Sequence, residues 1–261
     1  MKHVLTLDAR GHKRTGETPL ICTPLVGRTR DKLLAEVAAI APKSPDLLEW
    51  RVDHFGHVAD THAVLDTLRD LRAAAGALPM IFTCRAKDAG GHRVPIDREQ
   101  IGALYERVAE TGAVQFVDLE VDHDPALIRH VRQVTHAHEV RLILSYHNSS
   151  YTPGTEHLID RFLEAERLGA DVAMVQVRPR NRVDVLRLLM ATAEADTKAH
   201  IPLISMSIGP LGAVSRIVGG LFGSTLSFAV GERASAPGQV PIGDLVAAFD
   251  VLRRARGGEM Y

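Results

Sequence analysis

The sequence has little of the features that mark secreted or membrane proteins. Only two cysteines, Cys22 and Cys84, occur among 261 residues, which excludes a disulfide framework and suits a reducing compartment. No apolar run is long enough to span a bilayer, and residues 1–13 lack the apolar segment of a signal peptide. A cytoplasmic protein without a membrane partner is therefore expected.

An excess of charge of one sign is also missing. The chain carries 31 Lys and Arg against 32 Asp and Glu, a formal net charge of −1. This balance argues against nucleic acid as a partner. With 46% hydrophobic and 24% charged residues, the composition is that of an ordinary globular protein. Its length fits two small domains or one α/β barrel.

What the sequence does contain is a regular alternation of strand-like and helix-like segments. Helical periodicity places Leu33, Leu34, Val37 and Ile40 on one face of residues 31–40, and recurs between the other strand-like runs. Those runs return about every thirty residues, at 20–27, 46–53, 80–86, 115–122, 141–148, 172–179, 201–208 and 224–231. Eight such repeats predict an α/β fold, a (β/α)8 TIM barrel, as one domain over residues 1–261.

A doubly wound open sheet is the alternative fold. It is disfavoured because no Gly-rich phosphate loop follows an early strand. Residues 242–255 also form one more amphipathic segment, as a closing helix should. Residues 3–21 alternate around a Gly-containing turn, so we predict a β-hairpin at 1–19 that closes the bottom of a barrel formed by 20–261.

Polar residues are concentrated where the predicted strands end, which is where TIM barrels place their active sites. Glu49, Arg51 and Asp53 alternate with apolar neighbours on strand two. These three charges could neutralise one another as a structural ion-pair layer. The other polar positions expected to point inward at strand ends are Arg85, Glu120, Asp122, Ser145, His147, Gln176, Arg178, Ser205 and Ser207.

Six motifs carry a resemblance to a known family. They are EWRVDHF (49–55), FTCRAK (82–87), SYHNSSYTP (145–153), SMSIGPLGAVSR (205–216), FGS (222–224) and ASAPGQ (234–239). In this order, and over residues 20–252, they resemble the type I 3-dehydroquinate dehydratases of the shikimate pathway. The resemblance implies a (β/α)8 barrel, commonly a homodimer in bacteria, that acts on a small molecule without a cofactor.

The resemblance also implies a reaction and a set of site residues. The family converts 3-dehydroquinate to 3-dehydroshikimate through an imine on a strand-six lysine, which acts as an electron sink. By motif, His147 is the general acid/base and Arg216 binds the substrate carboxylate. The remaining expected substrate-binding residues are Glu49, Arg51 and Arg85 for the ring hydroxyls, and Ser235 and Gln239 in a loop that closes over the substrate.

This sequence departs from the family pattern at the catalytic centre. Aligning the strand-six segment through its Asp and Pro places Met174 at the lysine position, and a thioether cannot form an imine. Ala89 stands where the family usually has a glutamate beside the catalytic histidine, and residues 148–150 replace a more familiar Asp-Phe. Methionine matches lysine roughly in length, so the barrel should fold normally.

Three explanations for Met174 stay open. The chain could be an active enzyme whose lysine was replaced deliberately, or a natural homologue with altered chemistry, for example elimination through an enolate stabilised by Arg51 and Arg85. It could also be a non-catalytic relative that binds a cyclic hydroxy acid as a sensor. The changes at Ala89 and Asn148 favour natural divergence. We therefore expect a hydro-lyase of this type with impaired or altered activity.

No metal site is predicted. His54, His57 and His62, and the pair His136 and His138, have spacings that a metal could use. They fall on helix or loop segments flanked by polar residues, and no carboxylate or cysteine completes a site. The sequence therefore favours solvated surface histidines.

Overall fold

In the computed structural model, the chain forms a closed ring of parallel strands surrounded by helices. The structure describes residues 3, 5–9, 12–15, 18–231 and 238–256. The strands are β1 (Thr6–Ala9), β2 (His12–Thr15), β3 (Leu20–Leu25), β4 (Leu47–Arg51), β5 (Met80–Thr83), β6 (Phe116–Glu120), β7 (Arg141–Asn148), β8 (Val172–Val177), β9 (Leu203–Ser207), β10 (Leu226–Val230) and β11 (Val240–Pro241). The predicted barrel is confirmed, with β3 to β10 as its eight strands.

A helix separates each barrel strand from the next, and one more follows the last strand. The helices are α1 (Arg30–Ile40), α2 (Thr61–Ala75), α3 (Arg98–Glu110), α4 (Pro125–Ala137), α5 (Thr155–Arg167), α6 (Arg182–Lys198), α7 (Ala213–Val218) and α8 (Ile242–Ala255). Several begin where the side chain before them accepts a backbone N–H, as Asp97 does from Gln100 in a capping box. The closing helix occupies the residues that the sequence predicted.

Parallel pairing runs from β10 through β3 and then in chain order to β9. Leu226 pairs with Leu20 between β10 and β3. The ring closes through a bridge between Leu203 and Ser224, where Thr225 donates its N–H to the Leu203 carbonyl oxygen at 2.8 Å. Because the eight barrel strands run the same way, their carboxyl ends meet at one mouth.

Two apolar cores hold the barrel together. One lies between the strands and the helices, around Trp50, Phe82 and Tyr105. The other fills the barrel interior, and each strand contributes alternate residues to it, for example Leu47 from β4 and Ile81 from β5. The interior core ends toward the mouth in Met174, Met206 and Phe228.

The N-terminal hairpin is also confirmed. β1 and β2 pair antiparallel, with Thr6 opposite Thr15. Leu5 and Leu7 are buried in the interior core together with Leu20 and Phe116, at the amino ends of the strands. Arg141 at the start of β7 donates to the Thr6 carbonyl oxygen at 2.9 Å. The hairpin therefore closes the bottom of the barrel, opposite the mouth.

Within the described part of the chain, no helix is both long enough and apolar enough to cross a membrane.

Candidate active site

A cavity of about 220 Å³ opens at the carboxyl ends of the strands. It brings together every predicted site residue that the structure describes: Glu49, Arg51, Arg85, His147, Met174, Arg216 and Gln239. Ser235, the remaining predicted residue, lies outside the described residues. Residues from β4, β7 and β8 and from the segments after β5, β9 and β10 thus face one space.

Arg85 is the centre of a buried ionic network under the cavity. Its guanidinium donates to Glu120 at 3.0 Å, to Ser145 Oγ at 2.8 Å and to Asp118. Burial disfavours the charged forms, but the two carboxylates raise the pKa of Arg85 above its usual range, and Arg85 lowers the pKa of Glu120. The positive charge of Arg85 is therefore held by two carboxylates.

Arg51 is fixed in the same way by Asp53. Its Nε and Nη2 donate to the two carboxylate oxygens at 2.8 and 2.9 Å, a bidentate pair. Although burial opposes ionisation, the bonds from Arg51 lower the pKa of Asp53. Asp53 also accepts the backbone N–H groups of Arg85 and His92. The ion-pair alternative from the sequence thus holds for Arg51 and Asp53.

Glu49 has a different environment. It is buried, and Thr83 donates its hydroxyl to Glu49 at 2.8 Å. Burial raises the pKa of Glu49, against the opposing charges of Arg51 and Arg85. Glu49 makes no direct ion pair among the described residues, so it is the carboxyl group of this layer most readily protonated.

Among the described residues that line the cavity, His147 is the one histidine. It is part-buried at the end of β7, and neither ring nitrogen has a hydrogen-bond partner among the described residues. Burial, reinforced by the charge of Arg85, lowers its pKa well below the usual value. The imidazole is therefore neutral at pH 7, the state required of a general base.

Ala89 explains why His147 has no carboxylate partner from the loop after β5. Ala89 and Gly90 line the cavity where the family pattern has a glutamate. Glu120 faces His147 only at longer range, because its oxygens are taken by Arg85, Ala86 and His123. The orientation of the imidazole is thus set by packing and not by a hydrogen bond.

Arg216 is a buried cation with no carboxylate in the described residues to neutralise it. It extends from α7, is 2% exposed, and donates to the Phe228 carbonyl oxygen at 3.1 Å. Its Nε has no hydrogen-bond partner, and burial lowers its pKa to about 10. An uncompensated buried guanidinium is costly unless an anion completes it. Of the described charges that line the cavity, this one is best placed to bind an anionic ligand.

Met174 occupies the wall of the cavity on β8. It is 4% exposed, pairs in register with Ser145 on β7 and Ile204 on β9, and belongs to the interior core. None of the described lining residues is a lysine. Lys87, at the mouth after β5, is exposed and does not line the cavity. The apolar thioether is thus accommodated by an apolar wall.

The predicted direction of some side chains was wrong. On β9, Ile204 and Met206 point into the barrel, so Ser205 and Ser207 face the helix layer. On β6, the inward residue after Phe116 is Asp118, which was not among the predicted inward positions. Counting by two from Phe116 would have found it. Asp122 lies beyond the strand, exposed, and contacts Arg161 at 3.2 Å.

The fold and site define a class: a (β/α)8 barrel whose polar mouth combines a neutral imidazole with a buried guanidinium that has no carboxylate partner among the described residues. The family model described as Type I 3-dehydroquinase matches residues 21–256. The chain belongs to this family.

Curated relatives agree along almost the whole chain. A 3-dehydroquinate dehydratase from Albidiferax ferrireducens is 48% identical over 93% of this chain and 92% of that protein. A relative of the same name from Geobacillus thermodenitrificans is 44% identical, with 92% and 93% covered. The crystal structure of 3-dehydroquinate dehydratase from Geobacillus kaustophilus superposes with a TM-score of 0.93 at 40% identity, covering 97% of this chain and 99% of that one. Homologues with this activity support a lyase.

Proposed function

We propose that the chain binds 3-dehydroquinate in the barrel mouth and dehydrates it to 3-dehydroshikimate without an imine, and therefore slowly. The observation that carries this proposal is that one cavity is lined by the unbonded imidazole of His147, the uncompensated guanidinium of Arg216 and the thioether of Met174. The family membership supplies the substrate class.

In this proposal the site residues divide into groups with different roles. Arg216 binds the substrate carboxylate through a bidentate pair, which satisfies its Nε. His147 removes the proton next to the ketone and then protonates the departing hydroxyl group. Glu49, Arg51 and Arg85 bind the ring hydroxyls, and Gln239 with Ser235 closes the loop over the substrate.

The slow rate follows from the charges that surround the substrate. Without a lysine, the electrons of the broken C–H bond must collect on the ketone oxygen as an enolate. Arg51 is neutralised by Asp53, and Arg85 by Asp118 and Glu120, so neither has a full charge to offer that oxygen. A thousand-fold loss relative to the imine route corresponds to about 4 kcal/mol of barrier.

The decisive experiment restores the amine. Met174→Lys should raise the rate of enone formation, followed by ultraviolet absorbance, about a thousand-fold or more. Borohydride added with substrate should then trap an adduct at position 174, seen by intact mass. Gln176→Lys is the matched control, because it places an amine in the same cavity two residues farther along β8. It should raise the rate far less.

Three other experimental results would contradict the proposed function. A borohydride adduct in the unaltered protein would overturn the proposed loss of the imine. Binding of 3-dehydroquinate by calorimetry with no turnover, before and after Met174→Lys, would leave the sensor alternative. Failure to bind 3-dehydroquinate or quinate would remove both functions.

A homodimer is the assembly we propose. Several large apolar side chains stay exposed on α6 and the neighbouring segment around α7: Val183, Leu186, Met190, Leu211, Val214 and Leu221. Burying this surface against a second copy would remove it from water. Leu186→Asp should yield monomers by light scattering, whereas Val251→Asp on exposed α8 should not. A monomeric unaltered chain would refute the dimer. A cytoplasmic location stays a prediction from the sequence.

A further inference from the structure

His54 and His92, which have no role in the proposed reaction, meet the Arg51 partner Asp53 at the rim of the barrel mouth. His54 follows β4, and His92 lies on the loop after β5. One donor atom from each of the three lies within 4.8 Å of the others. His54 Nε2 is 3.7 Å and His92 Nδ1 is 3.8 Å from the same oxygen, Oδ2 of Asp53. The two imidazole rings lie side by side, with centroids 4.1 Å apart.

We propose that these three residues bind a borderline divalent cation such as Zn²⁺. In a tetrahedral zinc site, bonds of about 2.0–2.2 Å place neighbouring ligand atoms about 3.3–3.5 Å apart. The two histidine-to-carboxylate distances exceed that by only a few tenths of an ångström. The two histidine donor atoms, which lie within 4.8 Å of each other, would approach through changes in side-chain torsion when the ion binds.

The chemistry of the donors selects the cation. Two imidazole nitrogens and one carboxylate oxygen suit Zn²⁺, Co²⁺ or Ni²⁺, whereas Mg²⁺ and Ca²⁺ prefer oxygen ligands. His92 is more than half exposed, which gives the cation a path from solvent and room for bound water.

Arg51 competes with the cation. Its Nη2 and the His92 backbone N–H already donate to Oδ2 of Asp53, so both lone pairs of that oxygen are used. A cation must take the place of Nη2, while Nε keeps its bond to Oδ1. The charges of Arg51 and Arg28 near His54 also oppose a second positive ion. Removing Arg51 should therefore strengthen metal binding.

The experiment measures Zn²⁺ binding to the metal-stripped full chain by calorimetry at pH 7.5. One ion should bind per chain, and Mg²⁺ should not compete with it. His54→Ala and His92→Ala should each weaken binding about tenfold or more, because even the loss of a residue that only hydrogen-bonds to a metal ligand lowers affinity by about that factor. His62→Ala, an exposed histidine on α2, should leave binding unchanged, and Arg51→Met should tighten it.

Co²⁺ gives an independent signal. Its visible absorption should appear on binding and disappear in His54→Ala and His92→Ala, while thermal melting checks that each variant folds. No binding of Zn²⁺ or Co²⁺ would overturn the proposal. So would affinity that survives the loss of either histidine, affinity equally sensitive to His62→Ala, or Mg²⁺ bound as well as Zn²⁺.

Discussion

Two buried arginines in one cavity have opposite relations to stability. Arg85 is bound by Asp118, Glu120 and Ser145, whereas the hydrogen-bond partners of Arg216 among the described residues are a carbonyl oxygen and a thioether. The first is part of the folded framework. The second carries a charge that the free protein leaves uncompensated, which is typical of a site whose ligand provides the missing partner.

Replacing each arginine by methionine separates these roles. Arg85→Met should destabilise the fold by about 3–5 kcal/mol, because it leaves two buried carboxylates without their cation. Arg216→Met should raise stability by about 1 kcal/mol or more, because it removes an uncompensated buried charge. Urea denaturation measures both. Loss of stability in Arg216→Met would mean that its charge has a partner after all.

Binding should show the complementary pattern. Arg216→Met is expected to lose the affinity for quinate-like carboxylates that calorimetry measures in the unaltered chain. Arg216→Lys keeps the charge but not the bidentate geometry, and should recover only part of it. Full affinity in Arg216→Met would place the substrate carboxylate elsewhere.

The buried imidazole of His147 makes stability depend on pH. Its pKa is lowered in the folded state, whereas it is about 6.5 in the unfolded chain. Below pH 6.5 the unfolded chain binds a proton that the folded chain does not, so stability falls as pH falls, by about 1.4 kcal/mol per unit for this group. His147→Gln should remove that slope between pH 6.5 and 5.

The comparison needs a control because other groups titrate in the same range. His54, whose pKa is lowered to about 4, contributes a slope of the same sign to both proteins, so only the difference reports His147. His62→Gln, on the exposed face of α2, should keep the full slope. Equal slopes in the unaltered protein and His147→Gln would show that the imidazole is not desolvated.

At the scale of elements, the strands and helices were predictable because their patterns are local. β-branched and apolar runs at a regular spacing located all eight barrel strands, and β7 matches its predicted bounds. Other ends were overestimated: the run at 80–86 forms a strand only to Thr83, because the next residues turn into the loop that carries Ala89. The end of β5 is therefore set by where its backbone pairing stops and not by the β propensity of the residues that follow.

Which face of a strand points inward was less predictable. On β4 charged residues alternate with apolar ones, so Glu49 and Arg51 identify the inner face. On β9 both faces are buried, and serines alternate with Ile204 and Met206. On this strand the polarity of a residue does not indicate which face points inward. Ser207 faces the helix layer, where Ser215 Oγ accepts its backbone N–H. The grouping of Asp53, His54 and His92 was not predicted either. His92 lies on a different loop from the other two, so no sequence spacing connects them.

The loop after β5 depends on a glycine that approaches Arg85. A Cβ added at Gly91 would lie 2.1 Å from the Arg85 carbonyl oxygen. Gly91→Ala should therefore displace this loop, lower stability by about 1–3 kcal/mol and weaken ligand binding, measured by denaturation and calorimetry. Gly243→Ala in α8, where a Cβ meets nothing within 4 Å, should stabilise slightly. Equal effects would mean that the close contact relaxes without consequence.

At the scale of the molecule, stability and chemistry occupy opposite ends of the barrel. The hairpin residues Leu5 and Leu7 fill the bottom of the interior core, while Arg216, His147 and Met174 surround the mouth. Layers of side chains separate the two ends, from Leu20 and Phe116 at the bottom to Met206 and Phe228 at the top. A change at the bottom should therefore affect folding without changing the site.

Leu7→Ala tests this separation. Leu7 is 3% exposed, so its truncation should cost about 2–5 kcal/mol of unfolding free energy by leaving a cavity under the barrel. Ligand affinity, measured well below the melting temperature where the variant is folded, should stay unchanged. Val251→Ala, at an exposed position on α8 outside the proposed dimer surface, should cost almost nothing. Weakened binding in folded Leu7→Ala would show that packing at the hairpin positions the mouth, and that the two ends of the barrel are coupled through its interior.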